Sequence, residues 1–444
     1  MSSDWRSLTL GDVTTWISGG TPKKDDKRYW GGEIPWISAS SMHGSRYFSS
    51  DLKLTQEGLV NGSRLAPKES ILLLVRGSAL HSKIPVGIAM RDLAFNQDVK
   101  ALLPKIECLR PWFLLYWLMS KESHLLDSVV EFTGIGAGKL DTKRMQSLEI
   151  KLPSLNTQDN IISIAKSLDD RITLLRETNK TLESIAQAIF KSWFVDFDPV
   201  HAKEKGIAPE GMDEATAALF PDSFEETELG MAPKGWKVNR LGDVTNRITK
   251  GTTPTTLNKR FVETGINFIK VEAITDTGEL LIEKFAHIDA ETHNLLKRSQ
   301  LEIGDILVTI AGTIGRIAEV SKDHVPANTN QAVALIRPIY KIMPGGLIKR
   351  VLHQKDSRQG MRAKVVQAVQ ANLSLGSLSD MPVVTPPNDV SVRLYEVVLA
   401  SLDMSVKNNM QQIRSLSDLL DTLLPRLMSG QLGIEQAQEM VESV

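Results

Sequence analysis

Cysteine is nearly missing from this chain: Cys108 is the only one in 444 residues. A lone thiol excludes an internal disulfide framework and fits a reducing compartment, so a cytoplasmic location is expected. Set among apolar neighbours, Cys108 reads as a small packing residue rather than a nucleophile. No apolar run approaches the roughly 20 residues needed to span a bilayer. The opening string MSSDWRSLTL lacks the basic and apolar regions of a signal peptide, so no membrane contact is expected. Catalytic signatures are missing too. The eight histidines show no metal-ligand spacing such as H-E-x-x-H. GIGAG at Gly134–Gly138 is similar to a dinucleotide or S-adenosylmethionine loop, but no acidic residue follows at the expected strand end, and a structural loop is the better reading. Gly138-Lys139 lacks the flanking residues of a phosphate-binding loop. An Asp/Asn-Pro-Pro-aromatic tetrapeptide, as an amino-methyltransferase requires, is approached only by DPVH from Asp198 and TPPN from Thr385, each wrong at two positions. No catalytic residue and no metal ligand is assigned.

What the chain does have is a second copy of itself. LGDVT stands at Leu10–Thr14 and again at Leu241–Thr245, each preceded five residues earlier by a tryptophan, Trp5 and Trp236. IPWIS from Ile34 answers INFIK from Ile266, and ILLLVRGS from Ile71 answers ILVTIAGT from Ile306. NQDVKALLP from Asn96 answers NQAVALIRP from Asn330, Leu152-Pro153 answers Thr385-Pro386, and Leu168-Asp169 answers Leu402-Asp403. The offsets run 231, 232, 235, 234, 233 and 234, so the copies are collinear. Solenoid units run about 20–50 residues; this is a duplicated module of domain size.

Charge follows the same division. The net value of −1 hides +4 over residues 1–155 and +6 over residues 235–388, against 0, −7 and −4 over residues 156–195, 196–234 and 389–444. Binding fields depend on that layout rather than on the sum, and two basic bodies are compatible with nucleic acid.

Each copy reads as a mixed body followed by a helical tail. Ile71–Val75, Ile306–Ile310, Ile34–Ile37 and Ile266–Val271 are short apolar runs that predict buried strands. Pro111 followed by WFLLYWLMS predicts a helix with proline in its first turn. Pro153 and the Pro386-Pro387 pair close the bodies. In the first tail Leu168, Ile172, Leu175, Asn179, Leu182, Ala186, Ile189 and Trp193 keep 4-3-4-3 spacing. In the second, Leu402, Val406, Asn409, Ile413, Leu416, Leu420, Leu423 and Leu427 do the same. These are heptad seams, each with one asparagine able to fix register. Packed on each other antiparallel, they put Leu168 near Leu427 and Trp193 near Leu402. Roughly 30 helical residues make a rod of about 45 Å. Residues 196–234 hold ten acids and no sustained period, which predicts an exposed connector with a helical piece around Glu214–Leu219.

Polar residues beyond the predicted strands are the candidate nucleic-acid contacts. Lys23, Lys24, Lys27 and Arg28 follow a Gly-Gly-Thr-Pro turn, with Lys250, Thr252 and Thr253 in the corresponding place; such loops suit phosphate contacts. Ser38, Ser40, Ser41 and His43 follow one strand, and Lys270 and Glu272 follow its counterpart. Arg76, Ser78 and His81 answer Thr309, Thr313 and Arg316 beyond another. Asn96-Gln97 and Asn330-Gln331 can read adenine edges or cap a turn. Residues that differ between the copies are the better candidates for sequence reading.

On these features the chain resembles the specificity subunits of type I restriction–modification systems. The resemblance covers nearly the whole length. It rests on the order body–helix–body–helix, on TLESIAQAIFKSWFVDFDP at Thr181–Pro199, on LLDTLLPRLMSGQL at Leu419–Leu432, and on LEIKLPSLNTQDNI before the first helix. It implies an α+β chain of two similar mixed α/β target-recognition domains, joined by a two-helix antiparallel coiled coil with internal pseudo-twofold symmetry. The expected boundaries are residues 1–155 and 235–388 for the two domains, 156–195 and 389–430 for the spacer helices, 196–234 for the connector and 431–444 for a tail. It further implies double-stranded DNA as ligand and an asymmetric split target. Two modification subunits would carry the S-adenosylmethionine chemistry, and two ATP- and magnesium-dependent restriction subunits would join them, leaving this chain non-catalytic. Trp193, Phe194, Leu424 and Met428 either complete the spacer or offer apolar surface to the modification subunit. The competing readings are the recognition portion of a self-contained methyltransferase–nuclease and a coiled-coil assembly scaffold.

Overall fold

The computed structural model describes residues 5–132, 137–363, 366–367 and 371–442. Residues 133–136, most of the GIGAG string, lie outside them. The chain divides into two compact units, residues 1–177 with 409–444 and residues 178–408. Both boundaries fall inside the long helices Leu155–Phe194 and Ala400–Met428, so each unit is one body plus half of each helix. The helices do not stand apart from the bodies, because an amphipathic face in water is stable only against apolar partners.

The first body opens and closes on one pair of strands. Arg6–Thr9 runs antiparallel to Glu149–Leu152, with Arg6 opposite Leu152, and the long helix begins at Leu155. In the second body Lys237–Arg240 pairs with Pro382–Thr385 in the same manner. The repeated LGDVT string follows each opening strand and has a structural cause. Leu10, Val13, Leu241 and Val244 are buried. Asp12 accepts from the Thr9 backbone N–H at 3.1 Å and Asp243 from that of Arg240 at 3.0 Å, each capping the turn. The Thr14 and Thr245 hydroxyls then donate back to the carbonyls of Leu10 and Leu241.

The central sheet of the first body has the order Thr14–Ser18, Val99–Pro104, Ile71–Leu74, Val86–Ala89, Arg46–Tyr47. All its pairs are antiparallel except the last. The second body repeats it as Thr245–Lys250, Val333–Pro338, Ile306–Thr309, Ile317–Glu319, with no fifth strand among the described residues. Ile71–Leu74 and Ile306–Thr309 are buried throughout, which explains their unbroken apolar runs. Trp30–Ile37 pairs in parallel with Leu93–Phe95, as Ile266–Ile269 does with Ala327–Thr329. Helix Pro111–Ser120 carries proline in its first turn and buries Phe113 to Leu118.

Both heptad seams are inward-facing. In the first unit Leu168 and Ile172, with half-buried Leu175, share a core with Ile413, Leu416, Leu420, Leu423 and Leu427. In the second unit Ala186 and Trp193, with half-buried Ile189, share a core with half-buried Leu402. Early residues of one helix thus meet late residues of the other, the antiparallel sense. Leu182, Val406, Asn179 and Asn409 are half-buried. The first helix has 40 residues, about 60 Å at 1.5 Å rise rather than the expected 45 Å. Trp193, Phe194, Leu424 and Met428 are all buried within their units, so they complete the packing and offer no free apolar surface.

Each body grips its helix half through a buried carboxylate at an equivalent position. Asp169 accepts from Arg46 Nε at 3.1 Å, and Arg46 also reaches Asp170 at 2.6 Å while its guanidinium lies 5.1 Å from the Trp112 ring centre. Asp403 accepts from Arg350 Nη2 at 2.8 Å, from Arg350 Nη1 at 3.1 Å and from the Tyr395 hydroxyl at 2.8 Å. Burial alone would raise the Asp403 carboxyl, but the Arg350 guanidinium and the Tyr395 hydroxyl outweigh it and hold it below the usual range. Gly346 makes room for this pair: a Cβ there would stand 2.6 Å from Asp403 Oδ2. The two arginines come from different elements, an edge strand in one body and helix Gly345–His353 in the other.

Residues 196–234 carry the helical piece expected around Glu214–Leu219, as Glu214–Ala217, but have more regular structure and more burial than an exposed connector. They contain helices Asp198–Glu204 and Glu214–Ala217 and a hairpin of Phe224–Thr227 with Gly230–Pro233. Val200 and Phe220 are buried with Trp193 and Trp236 in the second unit's core. Their aromatic and aliphatic side chains outweigh the acidity, which stays on the surface.

Candidate nucleic-acid interface

The candidate residues separate into those already satisfied by the scaffold and those presented outward. Asn96 and Asn330 cap turns: Asn96 Oδ1 accepts from the Asp98 N–H at 3.2 Å and Asn330 Oδ1 from the Ala332 N–H at 3.1 Å. Gln97 accepts from the Thr21 hydroxyl at 2.6 Å and Gln331 from that of Thr253 at 2.5 Å. Of the two options for the Asn-Gln strings, the turn is therefore the one realised, and Thr253 spends its hydroxyl on the scaffold. Lys270 and Glu272 pair with each other at 2.8 Å, with the lysine 5.5 Å from the Phe261 ring centre. Arg28 is bound to Asp26 at 2.7 Å, and the Asp26 carboxyl is held low by that bond. The Ser38 and Ser40 hydroxyls bond each other at 2.9 Å.

Lys23, Lys24, Lys27, Ser40 and His43 are exposed on the first body; Lys250 and Thr252 are half-buried on the second. These placements suit backbone contact and carry no base information by themselves.

A second group gathers beyond the buried central strand of each body. In the first, Arg76 and Gly77 form a short strand that pairs with Gly138–Leu140, placing Arg76 opposite Lys139. Arg76, Ser78 and His81 are exposed there, and His81 stacks on Phe132 with ring centres 4.6 Å apart and planes at 16°. Phe132 is itself 56% exposed, unusual for so large an apolar ring. In the second body, the turn after Ile306–Thr309 carries Thr313 and Arg316. The Thr309 hydroxyl donates to the Thr313 carbonyl at 2.5 Å and accepts from the Arg316 N–H at 2.9 Å, which shapes the turn. Arg316 Nε donates to Asp276 at 2.7 Å and Nη1 to the Ile274 carbonyl at 2.9 Å.

Sequence reasoning missed Phe132, Lys139, Asp276 and Arg358 in this region. Phe132 and Lys139 flank the glycine-rich string and lie close in sequence to a feature that was noticed. Arg358 sits in KDSR, which answers KESH from Lys121 at the same offset of 234, and the exchange of His124 for Arg358 is the signal that could have found it.

Comparison with known proteins bears on what these surfaces meet. The family model described as "Type I restriction modification DNA specificity domain" matches residues 2–184 and again 233–396. The type I restriction enzyme HindI specificity subunit of Haemophilus influenzae is 25% identical over 486 residues, covering 97% of this chain and 100% of that protein. The type I restriction enzyme MjaIX specificity subunit of Methanocaldococcus jannaschii is 24% identical over 458 residues, covering 98% and 94%. Among solved structures, the S subunit of a type I restriction–modification system from M. genitalium aligns over 96% of each chain with a TM-score of 0.51 at 15% identity, a likeness of fold.

Proposed function

The chain belongs to the type I restriction–modification DNA specificity family, and from that premise we propose how its two units divide the work. It is a DNA sequence-specificity subunit. Each body reads one half of a split target, and because the reading surfaces differ, the two half-sites differ. The chain performs no reaction itself. Two modification subunits supply S-adenosylmethionine-dependent methylation of adenine, which requires flipping the base from the duplex. Restriction subunits supply ATP- and magnesium-dependent cleavage.

The observation that carries this reading is the pairing of a recurring scaffold with unlike surfaces. LGDVT turns, Asn-Gln turns and helix-gripping carboxylates recur in both units. Beyond the central strand, one unit presents a His–Phe stack and the other an Arg–Asp pair. A repeated frame with divergent tips suits one chemistry done twice on two sequences. Two reading bodies on one chain suit a target of two half-sites with unread bases between. Exposed lysines position the backbone, and Arg76, Ser78, His81, Thr313 and Arg316 discriminate bases.

The test is to map methylated adenines in DNA from cells carrying the chain with its modification subunit. An interrupted target with two unlike halves is expected. A continuous or palindromic target, or methyl transfer by the purified chain alone, overturns the reading.

A further inference from the structure

Arg358 lies on helix Lys355–Ala363 in the second unit, and its Nε is buried with no hydrogen-bond partner among the described residues. A buried donor left unmade is destabilising, so native structures keep such groups where a partner arrives. Arg358 lines a cavity of about 240 Å³ together with Arg316, Asp276, Thr313, Gly315 and Met361. That volume is below the roughly 300–1,000 Å³ of small-molecule pockets, so the cavity suits one functional group of a larger ligand. Its wall includes a turn in which Gly312 and Gly315 take φ of +73° and +90°, and a Cβ added at either would meet nothing within 4 Å among the described residues. Two arginines and one carboxylate line the cavity, and the carboxylate, Asp276, has a side chain 81% exposed and already bound to Arg316.

We propose that Arg358, with Arg316, forms an acceptor-binding pocket in the second body that takes a phosphodiester oxygen or the O6/N7 edge of a guanine in target DNA. This rests on the reading that the second body binds DNA. At the matching place the first body has helix Glu122–Ser128 and the exposed His81–Phe132 stack. The pocket is thus a device of one half-site only, and Arg358 is a DNA-contacting residue for that half, specificity-determining where the group it takes is a guanine edge.

The test uses the full chain in complex with its modification subunit. The probes are a duplex carrying the mapped methylation target and a random-sequence duplex of equal length. Arg358→Ala is expected to weaken binding to the mapped duplex about tenfold or more. Loss on both duplexes, with a salt slope lower by about 1 and recovery in Arg358→Lys, identifies a phosphate. Loss confined to the mapped duplex, with relaxed preference at one guanine and no recovery in Arg358→Lys, identifies a base edge, because lysine lacks the planar fork. Arg358→Gln decides the matter if the alanine variant does not fold. Variants that bind both duplexes as wild type, with unchanged salt slope and base preference, overturn the pocket. A wild-type complex with no preference for the mapped duplex overturns the functional reading, and the pocket with it.

Discussion

Replacing Arg350 by methionine should loosen the second body from its helix. The pair it forms with Asp403 is dry: the arginine side chain is 3% exposed and the carboxylate 7%. Asp403 accepts three hydrogen bonds, two from Arg350 and one from Tyr395. Removing the guanidinium leaves a buried carboxylate with one remaining donor, and breaking such a pair costs about 3–5 kcal/mol. For a unit of this size each kcal/mol lowers the melting temperature by roughly 2–4 °C, so calorimetry of the purified chain should show a fall of roughly 6–20 °C. Arg350→Met with Asp403→Leu should recover most of that loss, since two well-packed apolar side chains avoid the desolvation of both charges. The residue of the loss, about 1–3 kcal/mol, is the orphaned Tyr395 hydroxyl. The half-exposed pair of Lys407 with Glu319 is the control, and Lys407→Met should cost about 0–1 kcal/mol. If Arg350→Met alone costs less than about 1 kcal/mol, or if the two single losses simply add in the double variant, the clamp is not a buried coupled pair and the reasoning fails.

The same pair predicts a pH dependence. Asp403 is depressed in the folded chain, so its stabilisation is full above the unfolded carboxyl value of about 3.9 and is lost as pH falls through the folded value; acid unfolding of Asp403→Asn should be flatter than that of wild type in this range, and parallel curves would contradict it. Leu420→Asp places a carboxylate at a site 4% exposed in the first unit's core, and it should lower stability by more than Leu175→Asp, whose site is only half-buried. Urea titrations of the two variants check the order, and equal midpoints would show that the seam is not buried as described.

Much of the scaffold was legible in the residue string because its causes are local. The 4-3 spacing from Leu168 to Trp193 and from Leu402 to Leu427 states which face of each helix is apolar, and those faces are inside. The runs Ile71–Leu74 and Ile306–Thr309 state full burial. The helical piece of the acidic connector was legible, but its buried Val200 and Phe220 were not, because ten acids were taken as a sign of exposure throughout. The candidate site was legible only in outline. Thr253, Lys270 and Arg28 looked available, yet each is engaged by a neighbour whose approach depends on loop geometry.

The residue order by itself determined the duplication, the paired heptad seams and the kinship with DNA specificity subunits, since each is a pattern written in spacing and identity. Tertiary structure alone decided which side chains meet. Arg46 finds Asp169 across 123 residues, and Arg350 finds Asp403 across 53. Equivalent carboxylates thus acquire partners from unrelated elements, and Arg358 shares a cavity with Arg316 although 42 residues separate them in the chain. Periodicity sets the face a residue occupies, but contacts between elements follow from how loops close and cores pack, and no local pattern records that.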